Sequence, residues 1–306
     1  MKIKCDVCMH HCELNTGQRG LCKARYNRGD GIYPANYGFL TSLALDPIEK
    51  KPLKYFRQGS MIISVGSFGC NLRCPYCQNS SISQAYGDRD HLTEYAAPLE
   101  TRIAPGMENG SRGNADRQEF AETSYYSPED LKYIAVRAKR DGNIGVAYTY
   151  NEPMIAYEYI KDTGELIREE GMVNVIVTNG QAEIPVLERI LPVTDAMNID
   201  LKGFSDECYK ALGGSFELAK DFIKRAAKDC HVELTTLVVP GLTDSPEDME
   251  KEAAWIASID PDIPLHITRF FPRYKMTDPE PTDIGLMKKL REIAEKKLNR
   301  VCLGNV

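Results

Sequence analysis

Met61-Ile-Ile-Ser-Val65-Gly-Ser-Phe-Gly69-Cys70-Asn-Leu-Arg-Cys74-Pro-Tyr76-Cys77-Gln-Asn79 decides how this chain is read. The opening five residues are a short apolar run closed by glycine, the pattern of a buried strand. Directly behind it stand three cysteines spaced C-x-x-x-C-x-x-C. Thiols this close are poorly placed to bridge one another, but they can converge on one metal centre. A closed zinc site takes four ligands, and no fourth Cys or His lies near this loop. Three thiolates from one loop instead suit three irons of a [4Fe–4S] cube, leaving the fourth iron open to a small molecule.

Further apolar runs follow at Ile144–Tyr148, Val173–Val177, Ala196–Ile199, Val232–Val239, Leu265–Ile267 and Val301–Leu303. Helical stretches lie between them, two with legible starts. Ser127-Pro-Glu-Asp130 and Ser245-Pro-Glu-Asp248 each place a capping serine, a proline at the first helical position and acids in the first turn. Strands alternating with helices predict repeated βα units and a parallel sheet. Six or seven such units suit an α/β partial barrel of (β/α)6 type better than a doubly wound sheet, and no GxGxxG opens a helix. The barrel is expected over 60–306, with a polar, breaker-rich insertion at about 85–123 that is either a lid or peripheral.

Composition bounds the rest. With 306 residues, 42% hydrophobic and 27% charged, the chain is of ordinary globular type. Lys+Arg 38 against Asp+Glu 44 gives a net charge of −6, so nucleic acid is not indicated as a partner. No signal-peptide core or run of 18 apolar residues occurs, and a cytoplasmic, membrane-free protein is expected. Seven of the ten cysteines fall into two clusters. The second cluster, Cys5, Cys8, Cys12 and Cys22, marks residues 1–59 as a small cysteine-rich module. Four soft ligands, with His10 and His11 as substitutes, suit structural zinc or a second iron–sulfur cluster acting as an electron relay. Cys208, Cys230 and Cys302 read as small core residues.

The cysteine loop resembles that of the radical S-adenosylmethionine (SAM) enzymes, with an aromatic, Tyr76, before the last cysteine. That resemblance implies that Cys70, Cys74 and Cys77 ligate a [4Fe–4S] cluster whose open iron chelates SAM. One electron then cleaves SAM to methionine and a 5′-deoxyadenosyl radical, which abstracts hydrogen from a substrate that the sequence does not identify. It further implies SAM contacts at Glu152, Thr178, Asn179, Asp200, Lys202, Leu242 and His266. Nearly all stand at or near the C-terminal ends of successive strands, the face where barrel sites assemble. Each also has a plainer reading: Glu152 as a helix cap, Thr178-Asn179-Gly180 as a turn, Asp200 and Lys202 as a surface pair, His266 as a core residue. Val177 stands where the glycyl-radical activase branch has an Asp, so a monovalent cation is not implied.

A narrower resemblance rests on the N-terminal cysteines, Asp46-Pro-Ile-Glu-Lys-Lys-Pro-Leu53, Tyr148-Thr-Tyr-Asn-Glu-Pro153, the segment His266–Met276 and Gly304-Asn-Val306. These resemble the AmmeMemoRadiSam-system radical SAM proteins, relatives of pyruvate formate-lyase-activating enzyme. The resemblance implies a reductant such as flavodoxin or ferredoxin and partner proteins of the same system. Relatives run on past the position of Val306, so the chain is expected to be naturally short or truncated. Two other functions compete: an activase acting on a protein glycine, and a non-catalytic, metal-stabilised binding module. The segment Arg269–Met276 presents Arg269, Arg273 and Lys275 either to an anionic substrate or to solvent.

Overall fold

The computed structural model describes residues 1–87 and 120–306. The expected insertion at 85–123 lies mostly outside the described residues. Its two flanks meet: Tyr86–Gly87 pairs in parallel with Phe120–Ala121.

One eight-stranded sheet organises the chain: β1 (Ser42–Pro47), β2 (Met61–Gly66), β3 (Asn143–Tyr148), β4 (Val173–Thr178), β5 (Ala196–Asp200), β6 (His231–Val238), β7 (Leu265–Arg269) and β8 (Val301–Gly304). Spatial order follows chain order from β1 to β8. β2 to β8 are mutually parallel, so all seven strands expected from the sequence form. The eighth, β1, pairs antiparallel to β2. No strand was expected there, because Ser-Leu-Ala-Leu-Asp-Pro is short and ends in proline, which is tolerated only at an edge. β1 belongs to residues 1–59, which therefore contribute directly to the sheet.

Seven helices, α1 (Pro128–Arg137), α2 (Tyr157–Glu169), α3 (Ile184–Ile190), α4 (Asp206–Leu212), α5 (Phe216–Ala226), α6 (Pro246–Ile259) and α7 (Ile284–Ala294), cover the outer face. Both expected caps form: Ser127 closes a capping box with Asp130, and Ser245 accepts from the Asp248 amide. Each contributes about 1 kcal/mol. Period-two alternation sends Val146, Ile176, Met197, Ile199, Leu234 and Ile267 outward under these helices, where they join one continuous core. Full burial stabilises by about 1.5–3 kcal/mol per side chain. At Gly145 a Cβ would stand 1.8 Å from the Val173 carbonyl oxygen, so the β3–β4 register requires glycine.

The inner face carries the alternate residues. Ile62, Ala147, Val175 and Ala196 form a second apolar cluster, closed by Ile48 and Leu53 from the segment between β1 and β2. That segment is a floor for the barrel. Pro52 accepts from Asn198 Nδ2 at 2.9 Å, and the Lys54 and Tyr55 amides donate to Glu233. The DPIEKKPL stretch thus has a structural office: its ends supply β1 and the plug. Among the described residues no helix is long and apolar enough to cross a membrane.

Candidate cluster and cofactor site

The loop after β2 needs glycine at its entrance. Gly69 has φ +86°, and a Cβ there would lie 2.4 Å from the Cys22 carbonyl oxygen. The N-terminal module therefore packs directly on the cysteine loop. His10 Nε2 reaches the Asn71 carbonyl at 2.7 Å, and Val7 accepts from the Glu183 amide.

Cys70, Cys74 and Cys77 gather with Leu72, Tyr76, Val239, Leu242, Phe270 and Met276 in one cluster over the C-terminal ends of the strands. Cys208 joins them, its Sγ donating to the Lys202 carbonyl at 3.0 Å. The sequence reading of Cys208 as a core residue holds, but its place beside the loop had no local signal. Burial pushes the Cys70 and Cys74 thiols up, and their neighbours raise them further: Glu152, Cys74 and Cys77 around Cys70, Cys77 and Asp200 around Cys74. Lys202 opposes this at Cys74. A cationic ligand charge would lower both, since a coordinating thiol is deprotonated outright.

Among the described residues no three His, Cys, Asp or Glu side chains are arranged to hold a single metal ion. A cube does not require such an arrangement, because each of its irons takes a separate sulfur. The donor set fits it in other respects. Cys70 Sγ accepts from the Leu72 amide at 3.4 Å and Asn179 Nδ2 at 3.7 Å, Cys77 Sγ meets Ser83 Oγ at 3.2 Å, and Lys202 stands near Cys74. For Cys5, Cys8, Cys12 and Cys22 the same finding shows no preformed single-ion zinc geometry. Cys8 is nonetheless close to the other three: burial, then Cys22, Cys5 and Cys12, push its thiol up to about 12. Arg25, 4% exposed, lies beside Cys5 with its Nε unpartnered.

Glu152 follows β3 and is 1% exposed. Its Oε1 accepts from Thr178 Oγ1 at 2.7 Å and the Met154 amide at 3.0 Å; its Oε2 accepts from the Asn179 amide at 2.8 Å. The capping role is thus present, and it is joined to a second one: holding the turn after β4. Burial raises the carboxyl to about 7 against these donors, with Asp200 adding to the rise. Asn179 in turn donates to Asn71 Oδ1 at 2.9 Å, inside the cysteine loop. Asn71 was missed in the sequence because its spacing is that of any loop residue.

Asp200 and Lys202 form an ion pair at 2.8 Å beside Cys74 and Tyr76. Burial opposes the Lys202 charge, but Asp200, Cys74 and Tyr76 outweigh it and hold the ammonium well above its ordinary value. His266 is placed differently from the other expected residues. It projects to the barrel interior and binds Glu233 Oε2 through Nε2 at 2.6 Å. Glu233 also takes His231 Nε2 at 3.0 Å and the amides of Lys54 and Tyr55 at 3.0 and 2.8 Å. Burial would raise this carboxyl, but the donors win and lower it to about 2.

Tyr150 is a further residue without sequence warning. It has φ +71°, its carbonyl accepts from Asn79 Nδ2 at 2.7 Å, and its hydroxyl donates to Asp46 Oδ2 at 2.9 Å. Lys51, 3% exposed, pairs with the same Asp46 oxygen at 2.8 Å. A recess of about 710 Å³ near Asp195, Cys230 and His231 sits at the opposite, N-terminal ends of the strands, away from the cysteine loop.

Comparison with known proteins agrees with this geometry. Over its whole length the chain is 36% identical to an uncharacterized protein of Methanocaldococcus jannaschii, covering 82% of that protein. It is 26% identical to the pyruvate formate-lyase-activating enzyme of Clostridium pasteurianum, over 62% of this chain and 67% of that one. The fold is similar to Streptococcus suis SuiB bound to S-adenosylmethionine, with a TM-score of 0.53 and 13% identity over 79% of this chain and 51% of that one. The family profile described as the radical SAM superfamily matches residues 64–253, from inside β2 to inside α6, the stretch that carries the cysteine loop, Glu152, the β4 turn and the Asp200–Lys202 pair. By that match the chain belongs to the radical SAM superfamily, whose members are enzymes and which implies a [4Fe–4S] cluster and SAM.

Proposed function

We propose that this chain is a radical SAM enzyme that holds its cluster on Cys70, Cys74 and Cys77 and uses SAM to start hydrogen abstraction from a substrate. The observation that carries the reading is the hydrogen-bonded path from Cys70 through Asn179 to Glu152 and Thr178, which joins three separated sequence segments at one end of the barrel. When bound, the cluster supplies one electron that cleaves SAM to methionine and a 5′-deoxyadenosyl radical. The protein does the positioning. Glu152 keeps the Thr178–Asn179 turn facing the cysteine loop, and Lys202 offers an ammonium suited to the SAM carboxylate. Tyr76 and Leu242 supply apolar surface beside the cysteines, and buried residues around them limit water at the site.

Within the superfamily we assign the chain to the AmmeMemoRadiSam-system group, on the N-terminal cysteines and the DPIEKKPL segment. The likeness to pyruvate formate-lyase-activating enzyme favours a second reading, in which the hydrogen donor is a glycine of a partner protein. For Cys5, Cys8, Cys12 and Cys22 we propose a thiolate-ligated centre beside Arg25, whose guanidinium is also paired with Glu158 at 2.8 Å.

The test is formation of 5′-deoxyadenosine by anaerobically reconstituted protein with SAM and dithionite. Wild-type protein is expected to form it, and Cys77→Ala to fall below detection. No cleavage by protein carrying a full four-iron cluster overturns the reading and leaves a non-catalytic binding module.

A further inference from the structure

Beside the cysteine loop, the chain after β7 folds back on itself. Arg273 and Met276 exchange both backbone hydrogen bonds, at 2.9 and 3.0 Å, and Tyr274 takes a left-handed conformation with φ +56°. The turn is fixed to the loop by the Lys275 amide, which donates to the Pro75 carbonyl at 2.9 Å. Its inward residues, Phe270 and Met276, pack with the cysteines, and Phe270 meets Tyr76 edge to face. Its outward residues are unusual for a surface. Phe271 and Tyr274 are each 41% exposed. Arg269 lies over the Phe271 ring at 5.1 Å and Lys275 over the Tyr274 ring at 5.2 Å. Arg273 and Lys275 are exposed and, among the described residues, neither has an ion-pair partner. Acids return only past the turn, at Asp278 and Glu280.

Although the whole chain carries a net charge of −6, this turn is locally basic and attracts an acidic surface at short range, and basic charges around exposed aromatics are the composition of a docking site. We propose that the Arg269–Met276 turn is the docking surface for an acidic, one-electron carrier protein. The inference rests on the radical SAM reading and deepens it. Such a carrier is oxidised by one electron, the cluster on Cys70, Cys74 and Cys77 is reduced by one, and that electron is the one consumed in breaking a C–S bond of SAM. Position decides among the possible anions: the turn is bonded to Pro75, between two cluster cysteines, so a partner seated on it has its cofactor brought to the cluster.

Reduced flavodoxin is the probe, compared with dithionite, on the full chain. Arg273→Glu/Lys275→Glu is expected to lower flavodoxin-driven 5′-deoxyadenosine formation about tenfold and leave the dithionite-driven rate unchanged. Binding of oxidised flavodoxin, measured by interferometry, is expected to weaken about tenfold and to lose the salt dependence seen with wild-type protein. Phe271→Ser serves as a second variant, free of charge reversal, with the same expected split. An equal loss with both reductants assigns the turn to substrate or to the loop's own folding and overturns the proposal, as does unchanged flavodoxin binding. Absence of cleavage with dithionite in wild type would defeat the enzymatic reading instead, while the binding measurement would still judge the surface.

Discussion

The mouth and the floor of the barrel each bury a carboxylate, and the two behave in opposite ways. Glu152 at the mouth is raised to about 7, whereas Glu233 near the floor is lowered to about 2. Both are almost fully enclosed. Burial disfavours the charge in each case, so the donors decide. Glu152 receives two backbone amides and one hydroxyl, and it sits near Asp200 and Cys70. Glu233 receives two amides and two imidazoles with no acid among its contacts. The difference separates two jobs. The floor carboxylate is an ionic knot that ties the plug to β6 and β7, while the mouth carboxylate orders a turn beside the cysteine loop.

The sharpest way to break this contrast is at the floor. Glu233→Ala leaves two imidazoles and two amides without their acceptor, and is expected to cost about 3–5 kcal/mol in urea denaturation. The same residue sets an acid limb. Its folded value lies below the unfolded one, so its contribution is complete above about pH 4.5 and is lost as pH falls through about 2. Glu233→Gln should flatten stability across that window. A variant whose acid limb matches wild type would show that the knot carries no net charge.

At the mouth, Glu152→Ala should cost less stability, about 1–3 kcal/mol, and weaken SAM binding about tenfold by releasing the Asn179 turn. Glu152→Gln keeps an acceptor and should recover part of the affinity in equilibrium dialysis. Equal affinity in all three proteins would show that the turn needs no carboxylate.

A third carboxylate serves as the control. Glu252 on α6 is wholly buried with one partner, the Thr236 hydroxyl, and burial raises it to about 8. Here the folded value lies above the unfolded one. Its stabilising effect is therefore complete below about pH 4.5 and is lost as pH rises through about 8. Glu252→Gln should remove that loss, so its stability relative to wild type should rise progressively as pH increases from about 4.5 to about 8. Thermal melts from pH 6 to 9 would check it, and an unchanged slope would place the alkaline limb elsewhere.

Features set by neighbours in the chain were legible in advance. Seven strands, the serine caps of α1 and α6, and the cysteine loop after the first parallel strand rest on spacings of a few residues, where side-chain type alone decides the outcome. The sequence places Glu152, Thr178, Asn179, Asp200 and Lys202 at or near strand ends, which in a parallel sheet share one face. The structure brings Glu152, Thr178 and Asn179 into one hydrogen-bonded set, while His266 lies apart on Glu233. The individual work of these residues was not legible. Glu152 caps Met154, as its proline neighbour suggests, but its bonds to Thr178 and Asn179 come from a strand pairing that sequence spacing does not display. Glu233, one acid in an apolar strand, has no local signal of its partners. Its partners are 178 and 179 residues away at Tyr55 and Lys54 and 33 away at His266. Only the curvature of the sheet and the packing of the plug against it bring those atoms together.

The sequence by itself determined the seven parallel strands and the caps of α1 and α6, and set three cysteines close behind the first parallel strand, because those outcomes follow from local periodicity and short spacing. Tertiary structure alone decided that Ser42–Pro47 becomes an edge strand, that Ile48 and Leu53 plug the floor, and that Cys22 abuts Gly69. Each of these depends on a surface that exists only after distant segments have packed, and a buried polar group is committed to a partner only once water has been excluded from it.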